Sequence, residues 1–182
     1  MKVNTEGMQF KNKNETFYIR TAKEKDAQSL SALRLQIDGE TENLDRVKGE
    51  GYLDEQAFIK VIARDSNAKN NLFLVVESKG KLVGFSRCEG SDFKRISHKA
   101  EFGVCVLKEY WGYGIGGMLL KNSIDWAERI GLKKLSLHVL ELNQNAIRLY
   151  KKHGFEVEGI LKNDKLLADG CYYNTIVMAR HT

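Results

Sequence analysis

Apolar and polar residues alternate along the chain in short runs that polar segments separate. Period-two runs predict strands over residues 17–20, 72–77, 81–88, 100–106, 135–139, 155–161 and 171–178. Apolar residues spaced three and four apart predict helices that follow Asp26 and Asp54 and helices that begin at Ile115 and Asn143. The resulting order, β-α-α-β-β-β-α-β-α-β-β, places antiparallel runs at both ends of two β-α units. We therefore expect a mixed sheet and a fold of the α/β (α+β mixed) class.

Two polar segments lie outside this pattern. Residues 1–15 are rich in Lys and Asn, and we interpret them as a polar N-terminal tail that is frayed or adds to a sheet edge. Residues 16–182 then form a single domain. The segment from Asp38 to Gly51 carries five acidic residues without apolar periodicity and is predicted to be a loop. It is either a solvated surface or a wall that attracts a cationic substrate.

Four glycines stand where the strand ending at Val106 gives way to the helix beginning at Ile115. They are Gly112, Gly114, Gly116 and Gly117. The first N–H groups of a helix lack partners within it, and glycines let a ligand approach the backbone, so this junction suits a phosphate or pyrophosphate. No Lys-Ser or Lys-Thr pair follows the last glycine, and no acidic residue closes a strand about 20 residues on. A tight turn without a ligand is the alternative.

Composition narrows the class of protein. The 182 residues carry a formal charge of +5, with 42% apolar residues and basic residues scattered through the sequence. We expect no nucleic-acid partner, because no basic face with interleaved aromatics is visible, and no membrane partner, because no apolar run approaches about 20 residues. The three cysteines have no metal-ligand spacing, so we expect no metal and a reduced, cytoplasmic protein.

Two motifs give the chain a family resemblance. VCVLKEYWGYGIGGMLL, residues 104–120, and NQNAIRLYKKHGF, residues 143–155, resemble the glycine loop and the Asn-x-x-Ala-x-x-Leu-Tyr-x-x-x-Gly-Phe segment of the GCN5-related N-acetyltransferases (GNAT). The similarity extends from Phe17 to about Ala179. It implies a largely antiparallel sheet of about seven strands flanked by about four helices. One position departs from the family pattern: Trp111 stands where Gln or Arg is common, and we expect it to pack beside the loop.

The resemblance implies acetyl-coenzyme A as the cofactor and an amine as the acceptor. Val104 and Val106 would pair their backbone with the pantetheine arm, residues 112–117 would cradle the pyrophosphate, and Asn143 would bond near the acyl end. The cofactor-binding residues implied are Val104, Cys105, Val106, Gly112, Tyr113, Gly114, Ile115, Gly116, Gly117 and Asn143.

Three residues are catalytic candidates. Tyr150 matches the family's tyrosine that protonates the departing thiolate, although it is also a residue of the buried helical stripe. The attacking amine must first lose a proton, and Glu101 and His138 are candidates for the base or for structural roles. Cys105 would be an acyl carrier only as an activated thiolate.

Acceptor and assembly remain open at this stage. A small amine such as a polyamine, an aminoglycoside or an amino acid, or a protein amino group, fits the chemistry, and the acidic 38–51 segment favours a small cationic acceptor. A homodimer is possible. The competing hypotheses are a catalytically silent acyl-coenzyme A-binding module on the same fold and a nucleotide-binding domain.

Overall fold

In the computed structural model, which describes residues 7–181, one eight-stranded sheet carries four helices. Residues 1–6 of the predicted tail and Thr182 lie outside the described residues. The strands are β1 Met8–Asn12, β2 Glu15–Thr21, β3 Leu72–Ser78, β4 Lys81–Gly90, β5 Lys99–Val106, β6 Lys134–Leu140, β7 Glu156–Leu166 and β8 Tyr172–His181. The helices are α1 Ala27–Asp38, α2 Glu55–Asn67, α3 Ile115–Ile130 and α4 Gln144–Lys152.

The predicted order of elements is confirmed, with one strand added at the N-terminal end. β1 pairs antiparallel with β2, so these residues form an edge addition and bring the strand count from about seven to eight. Lys13 and Asn14 form the two-residue turn and take φ values of 47° and 63°, as a primed hairpin turn requires. Phe10 stacks on Phe17 at 5.0 Å between ring centroids, which fastens β1 to the core.

The sheet order is β1-β2-β3-β4-β5-β6-β8-β7, and every neighbouring pair is antiparallel except β5 with β6. Those two strands pair only through Lys99–Glu101 and Lys134–Ser136 within the described chain. Beyond Glu101 the two strands diverge, while β5 remains paired with β4 as far as Val106. A wedge-shaped opening therefore lies in the middle of the sheet.

The helices cover the two faces of the sheet in pairs. On one face, Cys88 lies against Ser123 of α3, and the ring of Phe102 meets Tyr150 of α4 edge-on at 6.5 Å. On the other face, Arg87 reaches Asp65 of α2, and α1 packs beside α2. Because side chains alternate along β5, neighbouring residues of this strand face different helix pairs.

Two of the predicted helix starts have side-chain caps. The Asp54 carboxylate accepts the N–H of Ala57 at 2.8 Å, and the Asn143 side chain accepts the N–H of Ala146 at 3.3 Å. α1 extends to Asp38, which the sequence had placed in the following loop. Among residues 7–181, no helix combines the length and apolar character that crossing a membrane requires.

Candidate active site

A cleft of about 990 Å³ opens where β5 and β6 diverge. Its floor is β5 from Glu101 to Val106, and the glycine loop and α4 form its sides. The N–H of Leu107 bonds the carbonyl of Val83 in β4 at 3.0 Å. Backbone groups alternate in direction along an antiparallel strand, so Val104 and Val106 turn theirs away from β4 and towards the opening. An extended ligand can add to β5 there as a further strand would.

The side chain of Trp111 forms a hydrogen bond with one of these backbone groups. Its indole Nε1–H donates to the carbonyl of Val106 at 2.9 Å, and the side chain is 45% exposed at the rim of the cleft. Trp111 therefore packs beside the loop as expected, and it also caps the end of β5. The carbonyl of Val106 is engaged, so its N–H and the backbone groups of Val104 are the ones left to pair with a pantetheine arm.

The glycine loop presents the start of α3 to the cleft. Gly112 and Gly114 both take φ of 78°, a left-handed conformation that favours glycine. Within α3, Met118 donates its N–H to Gly114 at 3.0 Å, so the N–H groups of the first turn precede the helical ladder. A Cβ added at Gly116 would meet no atom of the described chain within 4 Å. The loop thus offers uncrowded N–H donors at the positive end of a helix dipole, which suits a pyrophosphate.

Tyr113 differs from the other loop residues because the structure places it outside the cleft. Its ring lies 5.8 Å from the rings of both Phe17 and Tyr110, and its N–H bonds the carbonyl of Tyr110 at 3.4 Å. Its place within the glycine motif had led to its inclusion among the cofactor-binding residues. In the structure its side chain instead joins the loop to the core.

The N-terminal hairpin reaches the outer side of the same loop, which the sequence did not predict. Asn12 donates its side-chain N–H to the carbonyl of Tyr113 at 3.0 Å. The Lys13 Nζ lies 4.7 Å from the Tyr113 ring centroid and 3.4 Å from the position of a Cβ added at Gly112. A cation therefore lies beside the predicted pyrophosphate cradle. In the sequence, this hairpin was indicated only by the pair Lys13-Asn14 between two short runs of alternating polar and apolar residues.

Tyr150 and Asn143 both line the cleft from α4. Tyr150 is 7% exposed, and burial, followed by the neighbouring Cys105, raises the pKa of its phenol to about 12. The hydroxyl is therefore protonated near neutral pH and can donate a proton. Asn143 uses its side-chain oxygen to cap α4, which leaves its amide N–H groups for another partner.

Glu101 and His138, the two candidate bases, lie together at the divergence of the strands. The His138 Nδ1 and the Glu101 Oε1 are 3.2 Å apart, and both side chains line the cleft. A proton on Nδ1 donated to the carboxylate leaves Nε2 as an acceptor. The pair can therefore act as one proton-accepting unit, on the sheet face opposite Tyr150.

Cys105 lies on the same sheet face as Glu101 and lines the cleft. Burial raises the pKa of its thiol to about 12, so the reactive thiolate is scarce at neutral pH. Cys105 is consequently a neutral wall of the cleft, and the acyl-carrier alternative has no support.

Of the five acidic residues of the 38–51 segment only Asp45 lines the cleft, and Asp38 and Asp45 are paired with cations, so the segment does not form an anionic wall there. Asp38 is 6% exposed and bonds Arg46, and Asp45 bonds Lys165. The others bond backbone N–H groups, Glu40 that of Lys108, Glu42 that of Ala168, and Glu50 that of Val47. The expectation that this segment attracts a cation is not supported.

Three arginines line the same side of the cleft, and none was singled out from the sequence. They are Arg34 of α1, Arg46 of the following loop and Arg87 of β4. Their approach depends on how α1, the loop and the sheet pack together. Sequence patterns carry no signal for that packing.

Comparison with known proteins agrees with this geometry. Residues 37–155 match the model of the Acetyltransferase (GNAT) family. The L-amino acid N-acetyltransferase AaaT of Escherichia coli K12 is 33% identical over 108 residues, which cover 59% of this chain and 66% of that protein. The spermidine N(1)-acetyltransferase of the same organism is 34% identical over 105 residues, covering 57% of this chain and 55% of that protein. The chain thus spans less than two thirds of the length of these two relatives.

Solved structures share the fold over almost the whole chain. A GNAT-family acetyltransferase from Streptococcus pneumoniae superposes with a TM-score of 0.88 at 28% identity, covering 91% of this chain and 99% of that one. A phosphinothricin acetyltransferase from Sinorhizobium meliloti, solved in complex with acetyl-coenzyme A, superposes with a TM-score of 0.79 at 18% identity, covering 90% and 86%. The second likeness shows the fold alone. With the diverging strands, the glycine loop and the family match in agreement, this chain belongs to the acetyltransferase (GNAT) family.

Proposed function

We propose that this protein is an N-acetyltransferase that moves an acetyl group from acetyl-coenzyme A to a primary amine. The observation that carries the proposal is the opening between β5 and β6, bordered by the glycine loop at one end. It holds a buried phenol on one face and a Glu–His pair on the other. A thioester laid along β5 would therefore have a proton donor on one side and a proton acceptor on the other.

The roles of the residues follow from these positions. The N–H of Val106 and the backbone groups of Val104 would bond the pantetheine arm, and the first N–H groups of α3 would bond the pyrophosphate. The Glu101–His138 pair would take a proton from the acceptor ammonium, since only the neutral amine attacks. As the new C–N bond forms and the C–S bond breaks, the Tyr150 hydroxyl would donate a proton to the departing sulfur. The second proton lost by the nitrogen would restore the phenol through solvent, and the Glu101–His138 pair would release its own proton to solvent.

The named relatives support the same class of acceptor. Relatives matched by this chain include enzymes named for L-amino acids, for spermidine and for a ribosomal protein alanine. All of these acceptors present an amine. We therefore assign this chain an amine acceptor.

A catalytically silent acyl-coenzyme A-binding module on the same fold is the alternative, and the relatives matched by this chain, which are named as acetyltransferases, do not favour it. Such a module would bind acetyl-coenzyme A and release no thiol with any amine.

We propose a homodimer for the assembly. Five large apolar residues on β7 and around the turn to β8 are 43–63% exposed, and β7 is the edge strand of the described sheet next to β8. They are Val157, Ile160, Leu161, Leu166 and Tyr172. Covering such a surface is the usual role of a second copy. Sedimentation velocity should show a dimer that Ile160→Glu converts to monomer, and a monomer at all micromolar concentrations would contradict it.

We also propose a cytoplasmic protein that binds no nucleic acid. Cys88, Cys105 and Cys171 are free thiols, as in a reducing compartment. The basic residues are scattered along the sequence without a continuous basic run.

Thermal melting followed by a thiol-release assay tests the function. Acetyl-coenzyme A or coenzyme A at about 100 times its dissociation constant should add about 2.7 kcal/mol to the free energy of unfolding, whereas ATP and NAD should not. Amines should then release coenzyme A thiol only in the presence of the protein. Stabilisation by ATP or NAD instead would support the nucleotide-binding alternative, and no stabilisation by any of them would refute the proposal.

A further inference from the structure

One wall of the cleft carries three guanidinium groups, and their counter-ions distinguish them. Arg87 is fully paired, since its Nε and Nη2 donate to the buried Asp65 at 2.8 and 3.2 Å. Its Nη2 also lies 3.3 Å from Glu89. Arg87 is therefore a structural cation that joins β4 to α2.

Arg34 and Arg46 share one carboxylate. Arg46 takes both oxygens of Asp38, with contacts of 3.2 Å from Nε and 3.0 Å from Nη2. The Nε of Arg34 lies 3.7 Å from the same group, beyond hydrogen-bond distance. Two positive charges thus face one negative charge. The wall retains a net charge of about +1 at this point.

Of the two arginines, Arg34 is the one whose positive charge is less well neutralised by Asp38. Its side chain is 13% exposed, and its Nη1 is a buried donor without a hydrogen-bond partner among residues 7–181. Burial and then the neighbouring Arg46 lower the pKa of its guanidinium. A buried guanidinium that shares its one counter-ion and keeps an unsatisfied donor is costly, and an anion bound beside it would lower that cost.

The other acids that line the cleft within residues 7–181 are Asp45, Glu89 and Glu101, and each has a partner other than Arg34; that of Glu101 is His138. Asp45 bonds Lys165, and Glu89 bonds Arg64 at 2.6 Å as well as Arg87. Cys105, which interacts electrostatically with Arg46 and Arg34, is a neutral thiol because burial raises its pKa to about 12. The compensating anion must therefore come from outside the described chain.

We propose that Arg34, supported by Arg46, binds the carboxylate of the acceptor, which is an amino acid. This inference rests on the proposed acetyltransferase function and names its substrate class. The guanidiniums interact electrostatically with Cys105, which lies on the same sheet face as Glu101, with Gly103 between Cys105 and Glu101 on β5. A Cβ added at Gly103 would meet no described atom within 4 Å, so the floor between the two ends is open. The acceptor's carboxylate then lies towards Arg34 and its amine towards the Glu101–His138 pair.

The remaining lining favours an apolar side chain on the acceptor. The lining of the cleft also includes the apolar residues Ile37, Leu53, Phe58, Val61 and Phe85. They can bury a side chain of the size of leucine or phenylalanine. A polyamine would instead bring its second cation against Arg34.

Matched acceptor pairs test the inference on the unaltered protein. Thiol release is measured with L-leucine against 3-methylbutylamine and with L-phenylalanine against phenethylamine, each pair differing in structure by the carboxylate. Because the carboxylate also lowers the pKa of the neighbouring ammonium, kcat/KM is referred to the concentration of the neutral amine. Spermidine is the third acceptor. We expect kcat/KM to be at least about ten-fold higher for the amino acid of each pair, because one charge-assisted hydrogen bond to the carboxylate is worth at least that factor.

Arg34→Gln should bring each ratio of kcat/KM towards one, mainly by raising KM for the amino acid, and Arg34→Lys should restore part of it. Arg129→Gln, on the exposed end of α3, is the matched control and should leave the ratios unchanged. Melting curves establish that each variant folds. If Arg34→Gln does not fold, the acceptor pairs on the unaltered protein still decide the matter.

The outcomes separate the inference from the proposed function. If the amines without a carboxylate, or spermidine, turned over as fast as the amino acids or faster, the inference would be overturned. The proposed acetyltransferase function would still stand. Binding of acetyl-coenzyme A without turnover of either amino acid would also overturn it. Failure to bind acetyl-coenzyme A at all would refute the proposed function itself.

Discussion

Tyr150 and Cys105 line the same cleft, and burial raises the pKa of both side chains to about 12, with opposite chemical consequences. A phenol that stays protonated can act as a general acid, because the proton is the group it donates. A thiol that stays protonated cannot act as a nucleophile, because the thiolate is the reactive form. The same environment therefore supports direct transfer to the amine over an acyl-cysteine route.

Tyr150→Phe tests the general acid. The substitution keeps the ring that packs on Phe102 and removes only the hydroxyl, so affinity for acetyl-coenzyme A should stay within about two-fold while kcat falls at least about a hundred-fold. Calorimetric titration and thiol-release rates measure the two quantities. Tyr18→Phe, at an exposed ring on β2, is the control. Unchanged kcat would remove Tyr150 from the chemistry.

Glu101 and His138 are predicted to act as a unit because their side chains are 3.2 Å apart. Glu101→Gln and His138→Gln should each lower kcat/KM by about a hundred-fold, and the double variant should be little worse than the more impaired single one. Initial rates at limiting acceptor measure this. If the two losses multiplied, the residues would act independently, and Glu109→Gln controls for the loss of an exposed carboxylate.

Cys88 is expected to make the free energy of unfolding fall with rising pH in the alkaline range. Burial raises the pKa of its thiol from 9.0 to about 12, so the folded protein holds this proton more tightly than the unfolded chain. The contribution is complete below pH 9 and is lost as pH rises towards 12.

Between pH 8 and 10 the free energy of unfolding of the wild type should fall by about 1.4 kcal/mol more than that of Cys88→Ala. Urea unfolding at both values measures the difference, and Cys171→Ala, at an exposed thiol, should behave as the wild type. Parallel losses in all three proteins would contradict the assignment.

At the scale of elements, the divergence of β5 from β6 creates the site. β4 holds β5 along its other edge, so the strand stays extended while its free edge faces the opening. The hairpin of β1 and β2 then approaches the far end of this opening and brings Lys13 beside Gly112. The proposed anion site therefore combines a loop within the family motif with a hairpin outside the matched residues 37–155.

Lys13→Gln tests the contribution of the hairpin. If the ammonium attracts the phosphates, the dissociation constant for acetyl-coenzyme A should rise about two- to five-fold, as an exposed charge pair allows. S-acetylpantetheine, which has no phosphate, should bind as before. Titrations of both ligands are compared with Lys11→Gln, which removes an equal charge from the same hairpin. An equal loss for both ligands would show that the effect is structural.

Elements of this fold were more predictable than their contacts. The strands and helices follow from local periodicity, and Asp54 and Asn143 are visible as caps in the sequence. β1 was left open because Phe10 is its one half-buried apolar residue, so alternation is weak. Along the glycine loop the motif identified residues that line the cleft, with Tyr113 as the exception.

Charge was the property that the sequence predicted least well. The acidity of residues 38–51 suggested an anionic wall, but Glu40 and Glu42 bond backbone groups 68 and 126 residues away. Neither glutamate lines the cleft, and at its wall Arg34 and Arg46 share the single carboxylate of Asp38, so the excess charge at that point is positive. Pairing between distant segments depends on the packed fold, so a local count of charges cannot reveal it.

At the scale of the whole molecule, the two faces of the sheet have different roles in the proposed reaction. The α3–α4 face supplies the proton donor, the α1–α2 face supplies the proton acceptor and the acceptor site, and the opening between β5 and β6 connects them. This division requires the acetyl group to pass through the sheet at the opening, directly from sulfur to nitrogen.

The most direct measurement is mass spectrometry of the products after incubation with acetyl-coenzyme A labelled in the acetyl group and L-leucine. The account predicts labelled N-acetyl-leucine in a one-to-one ratio with released coenzyme A, and no labelled acetyl on the protein. Tyr150→Phe should bind acetyl-coenzyme A and form at most about one hundredth of the product. Label retained on Cys105, or no N-acetylated product from any amine while acetyl-coenzyme A is bound, would contradict the account.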